Sequence, residues 1–269
     1  MKAAQEGIGK IEKEGYYILK NQYGSSDIQK LLDLTIDWHK KTVDRQSASP
    51  SYLIGNAPNV FNLQNKDPIF LKALFASEKL EVILKHFLND KWFKQIPSDQ
   101  PNYILQSFGA RSSTNAMPLH IDSYIPFISE YVIGIPCAII LEDQNSKNGC
   151  TIVVPGSHHS NEYVKQSMLK KATPIESKAG DIVMWDSRLW HGTTENVSGS
   201  TRWSILMTFV RWWIKQYHDV TGNLPQDMYD ILSDKEKAVL GFCSSPHTDE
   251  FAGTDLKRGY DKLLKNLYS

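Results

Sequence analysis

His120 and Asp122 stand one residue apart in PLHIDSY, His191 follows roughly seventy residues later in WDSRLWHGTTEN, and Arg202 lies eleven residues beyond it. Two imidazoles and one carboxylate are the donor set that holds Fe(II) on one face and leaves the opposite positions open for a cosubstrate and dioxygen. In an extended segment, side chains at i and i+2 project to the same face, so His120 and Asp122 can reach one barrel mouth while Ile121 packs on the other side. His-x-Asp alone is a weak signal, because the pair arises often by chance. Arg202 strengthens it. The segment 192–201 is rich in turn formers (Gly192, Asn196, Ser198, Gly199, Ser200), which puts His191 and Arg202 on neighbouring strands of one hairpin-like unit. A guanidinium there faces the same cavity, and its fixed fork of donors suits a carboxylate in a partly dry pocket. The far carboxylate of a five-carbon diacid that chelates iron at its other end would reach it.

These residues need a sheet to bring them together. From about 102 to 212 the chain reads as short β-branched and aromatic runs separated by Gly, Ser, Asn and Pro clusters, the texture of an antiparallel sandwich or barrel. Candidate strands are 103–108, 131–142, 150–154, 181–185 and 202–212, with Asn148-Gly149 as a hairpin turn. A short strand at 15–19 precedes a helix that Ser26 would cap, with Gln29 in the reciprocal capping-box position. Helical spacing of Ile28, Leu31, Leu32, Thr35 and Trp38 continues it, and a second helical stretch covers about 68–88. Helical character returns after Trp213, at 225–227, 234–240 and 255–267, with a loop at about 244–253. The expected fold is mainly β with flanking helices, as one domain over 1–269: a core at about 102–212, a helical buttress at 1–100 and a helical extension at 213–269.

Composition narrows the function classes. Hydrophobic residues make up 41% and charged residues 22%, enough for a sizeable core. The formal net charge is zero, without the basic excess of a duplex nucleic-acid binder, so no nucleic-acid partner is expected. Cys137, Cys150 and Cys243 are an odd number without CxxC spacing and read as reduced thiols. No run approaches membrane-spanning length, and the N-terminal residues carry charges where a signal peptide needs an apolar stretch. A cytoplasmic protein acting on a small molecule is the expectation, with the oligomeric state left open.

The order HxD, PGSH (Pro155 to His158), GD (Gly180-Asp181), WHG (Trp190 to Gly192) and Arg202 resembles the phytanoyl-CoA dioxygenase family of Fe(II)/2-oxoglutarate oxygenases. The resemblance runs from about 103 to 209 and implies a double-stranded β-helix, a cupin-like jelly-roll, with iron between its sheets. It implies Fe(II), 2-oxoglutarate and O2 as cofactor and cosubstrates, His120, Asp122 and His191 as catalytic metal ligands, and Arg202 as the clamp on the 2-oxoglutarate C5-carboxylate. Thr193 matches a hydroxyl that supports that carboxylate, and Gln106 a strand position that contacts the cosubstrate in relatives. Ala138 falls where phytanoyl-CoA hydroxylase carries a tryptophan, so the pocket wall differs and an acyl-CoA substrate is not inherited. The reaction implied is hydroxylation of an unactivated C–H bond with release of succinate and CO2. Halogenating relatives replace the carboxylate ligand by a small residue, and Asp122 argues against that outcome; desaturation, epoxidation and ring closure use the same centre and stay open.

Tyr124 shares the inward parity of His120 and Asp122 if their strand continues, and would then line the pocket; otherwise it packs under a loop. The polar run RSSTN at 111–115 reads either as a mobile lid or as a surface loop. His39, His86, His159, His218 and His247 are left as core or surface residues, and His158 as a turn residue. Two other classes compete: a non-catalytic jelly-roll binding protein, whose mark would be a broken triad, and a cupin-like metal enzyme in which Arg202 would be idle.

Overall fold

The computed structural model describes residues 2–47, 58–94 and 96–245. Ten strands form two antiparallel sheets. The strands are β1 (Tyr16–Leu19), β2 (Asn59–Phe61), β3 (Tyr103–Ser112), β4 (Met117–His120), β5 (Gly134–Ile140), β6 (Thr151–Val153), β7 (Thr173–Pro174), β8 (Ile182–Trp185), β9 (His191–Thr193) and β10 (Trp203–Arg211). The larger sheet runs β1-β8-β5-β10-β3-β2, the smaller β4-β9-β6-β7. Neighbours within each sheet are distant in sequence, so one edge of the fold collects residues from all over the chain.

Alternation along the strands of the larger sheet sorts two cores. Tyr103, Leu105, Phe108 and Ala110 of β3, with Ile205, Met207 and Phe209 of β10, face outward. There they bury against α1 (Lys2–Glu14), α3 (Pro68–Phe75) and α4 (Glu78–Leu88), and α2 (Ser25–Ser47) joins the same cluster through Ile28 and Leu31. The opposite face meets the smaller sheet through Ala138, Ile140, Val153, Val183 and Trp185, the filling between the two layers. A third cluster, Leu119, Ile152, Val154 and Trp190, covers the far side of the smaller sheet. This two-layer arrangement is the expected jelly-roll, with the helices as a buttress on one face.

Several sequence expectations are corrected. The single helix expected at 68–88 is two, because Ser77 leaves helical geometry and its hydroxyl accepts the Leu80 N–H as the cap of α4. The helix α2 starts at Ser25, and Gln29 donates to Asp33 instead of reaching back, so the expected capping box is not formed. The capping box lies instead at Ser233 and Glu236, opening α7 (Asp234–Val239). It follows two short helices, α5 (Val220–Asn223) and α6 (Gln226–Asp230). The strand expected at 103–108 runs on to Ser112, so the first two residues of the expected lid, Arg111 and Ser112, are sheet; Ser112 and Ser113 are buried, and Thr114 and Asn115 are exposed. The helix α1 had no counterpart in the reading, and the helix expected at 255–267 lies outside the described residues.

Candidate metal centre

His120 ends β4, His191 begins β9, and the two are register partners across that strand pair. Their rings lie 4.2 Å apart between centroids. Asp122 is not in the strand: the chain turns after His120, and the N–H groups of Asp122 and Ser123 both donate to the Ser187 carbonyl. That anchor carries the carboxylate back toward the histidines, with Oδ1 3.8 Å from His120 Nε2 and Oδ2 3.4 Å from His191 Nε2. Ligand atoms of the three lie within 4.8 Å of one another.

The protonation pattern suits a metal. His120 Nδ1 lies 3.0 Å from the Pro118 carbonyl oxygen and His191 Nδ1 2.9 Å from that of Leu189, each two residues back. A carbonyl only accepts, so each Nδ1 carries the proton and each Nε2 presents its lone pair to the shared centre. Burial, and next the neighbouring His191, hold the pKa of His120 below its ordinary value, which favours the neutral ligand form. Trp185 Nε1 donates to Asp122 Oδ2 at 3.1 Å and fixes the carboxylate.

All three residues border a cavity of about 300 Å³ between the sheets. Arg202 borders it too, immediately before β10, and is 7% exposed. Its Nη1 donates to Ser204 Oγ and its Nη2 to the Gly149 carbonyl, while Nε has no partner. No carboxylate comes within ion-pairing distance among the described residues, and burial pushes the Arg202 pKa down to about 10. Glu142 acts on it only at a distance, and a buried cation without a paired carboxylate is costly, so an anion entering the cavity would stabilise it. Thr193 lines the same wall; its hydroxyl oxygen accepts the Met117 N–H and keeps its own proton to donate.

Three expected site residues are placed elsewhere. Gln106 sits where the β3–β10 register shifts, and its Nε2 donates to the Lys215 carbonyl, away from the cavity lining. Tyr124 loses its inward parity because β4 stops at His120; it has φ 62°, is 70% exposed, and touches the site only through a 2.6 Å hydroxyl contact with Tyr217, a lining residue. Ala138 is packed in the inter-sheet core, and its neighbours Pro136 and Cys137 line the cavity in its stead. Arg111, Trp185, Tyr217 and His218 line it without having been anticipated. Alternation along a longer β3 would have exposed Arg111; nothing in the sequence signals Trp185, whose contact with Asp122 spans 63 residues.

The family model for phytanoyl-CoA dioxygenase matches residues 11–204. The chain belongs to the phytanoyl-CoA dioxygenase family. An uncharacterised protein of Mycobacterium tuberculosis is 29% identical over 200 residues, covering 73% of this chain and 72% of that one. The ectoine dioxygenase of Bordetella bronchiseptica is 21% identical over 235 residues, covering 75% and 73%. Among solved structures, HygX from Streptomyces hygroscopicus with nickel and 2-oxoglutarate bound superposes with TM-score 0.58 at 14% identity, over 80% of this chain and 89% of that one. This phytanoyl-CoA dioxygenase family member is accordingly an Fe(II)/2-oxoglutarate-dependent dioxygenase with a jelly-roll core. Among the described residues no helix is long and apolar enough to cross a membrane.

Proposed function

We propose that this dioxygenase hydroxylates an unactivated C–H bond of a small organic molecule, with His120, Asp122 and His191 holding Fe(II) and Arg202 holding the C5-carboxylate of 2-oxoglutarate. The observation that carries the reading is the joint one: three convergent donors and a buried guanidinium with no ion pair among the described residues border a single cavity. When bound, iron with 2-oxoglutarate and dioxygen supplies the oxidising equivalent, with succinate and CO2 as coproducts.

The chain's own residues do the rest. The Pro118 and Leu189 carbonyls hold the imidazoles in the metal-binding tautomer, and Trp185 holds Asp122. Arg202 and Thr193 grip the cosubstrate at its distal end, which orients its chelating end toward the triad. Apolar Leu206, Phe61 and Pro136 keep the remaining space poor in water. Asp122 occupies the ligand position that a halide would need, which supports hydroxylation over halogen transfer. The cavity volume falls at the small end of ligand pockets and supports a compact substrate.

The test is anaerobic addition of Fe(II) and 2-oxoglutarate, which should give the weak visible charge-transfer band of a chelated keto acid. Arg202→Met should weaken 2-oxoglutarate binding about thirtyfold or more, the effect of stripping one partner from a buried charge pair. Folded protein with no band, or a variant with unaltered cosubstrate affinity, defeats the reading.

A further inference from the structure

We propose that the prime substrate is an organic acid whose carboxylate docks on Arg111. The inference rests on the assignment of Arg202 to 2-oxoglutarate, since it concerns the second cation of the same cavity. Ser107, Gly109 and Arg111 alternate along the inner face of β3, and all three line the cavity that the metal triad borders. Gly109 keeps that face low, since a Cβ there would stand 2.8 Å from the Val60 carbonyl.

The Arg111 guanidinium is half-buried, and among the described residues it forms no ion pair and no side-chain hydrogen bond. Burial lowers its pKa, and among the described residues no acid offsets that effect. A cation held like this against a cavity wall lacks the partner that would repay its lost hydration. Arg202 differs in having Gly149 and Ser204 to bond. Arg111 thus offers its full fork of donors.

Charge balance points the same way. With Fe(II) bound, Asp122 and the 2-oxoglutarate dianion offset the iron and Arg202 but leave one positive charge, that of Arg111. A monoanionic substrate neutralises it. Phe61, Leu206 and Tyr217 line the same cavity as Arg111 and the triad and would cover the carbon skeleton. A carboxylate gripped at Arg111 would fix which carbon faces the metal, so the residue sets both the class of substrate and the position attacked.

Matched acids and amides test this: hexanoate against hexanamide, and 4-phenylbutanoate against 4-phenylbutanamide. They are titrated by calorimetry into protein loaded with Mn(II) and 2-oxoglutarate, and into metal-free protein. At least one acid should bind tenfold or more tightly than its amide. In Arg111→Gln that ratio should fall below twofold, with 2-oxoglutarate affinity unchanged within twofold; Arg111→Lys, which keeps the charge, should retain part of the preference. No acid preference in the native protein, or an equal preference in Arg111→Gln, overturns the proposal. So does a loss of 2-oxoglutarate affinity in Arg111→Gln, which would make Arg111 a cosubstrate residue. If the native protein binds no 2-oxoglutarate, the Arg202 assignment fails by itself, and the metal-free titrations still decide Arg111.

Discussion

Trp185 shows what a single residue contributes to the centre without touching a metal. Its indole N–H donates to Asp122 Oδ2, and its ring lies 5.2 Å from that of His191. Both contacts restrict where the carboxylate and imidazole can point. Groups that orient a ligand in this way are worth roughly 10- to 100-fold in metal affinity. Trp185→Phe, which keeps most of the buried ring and deletes the donor, should therefore weaken Mn(II) or Fe(II) binding by about that factor while the protein stays folded. A metal titration checks it, and unaltered affinity would reduce Trp185 to packing. Among the three candidate ligands, Asp122 depends most on its surroundings, because it stands in a turn and the two histidines stand in strands.

At the scale of elements, the centre is a property of the β4–β9 pair. Met117 pairs with Thr193 and His120 with His191, with an irregularity between. The close approach of the two strands requires Gly192: a Cβ there would lie 2.5 Å from the Met117 carbonyl and 3.1 Å from that of Pro118. Neither backbone atom can move without moving β4. Gly192→Ala should destabilise the protein by about 1–3 kcal/mol, as overpacking does, and should weaken metal binding by separating the histidines. Denaturant titration and metal titration read the two effects. Gly9→Ala is the matched control, since α1 leaves open space there, and it should be neutral or stabilising by up to about 1 kcal/mol.

At the scale of the whole molecule, the fold buries His158 and partly buries His218, both outside the candidate metal set. Burial is the largest influence on both His158 and His218 and lowers their pKa values. His158 is locked under α1 by the Glu12 carbonyl, and His218 lies at the cavity wall. Below the ordinary histidine value of about 6.5, the unfolded chain takes up protons that the native chain refuses, so stability falls as pH falls and is fully present above that value. The urea midpoint should drop between pH 7.5 and pH 5.5, and His158→Gln with His218→Gln should flatten part of the drop. An unchanged midpoint over that range would contradict the lowered pKa values of both rings.

The sequence by itself determined the donor set and its order. Residue types at His120, Asp122, His191 and Arg202 carried the chemistry because donor identity is a local property, but the hairpin expected to join His191 and Arg202 is not formed: β9 and β10 belong to different sheets, which face each other across the cavity. It also determined most strands, since alternation is written into neighbouring residues. Parity failed wherever a strand ended or slipped: at Tyr124, past the end of β4, and at Gln106, at the β3–β10 irregularity. Whether a strand continues depends on a partner far away in sequence, and one residue of slip turns every side chain to the other face. Only the tertiary structure decided that Arg111 belongs to the cavity, that Trp185 steadies Asp122, and that Arg202 is buried with its Nε unpartnered. Each of these is a contact, or a missing contact, between segments that no local pattern links.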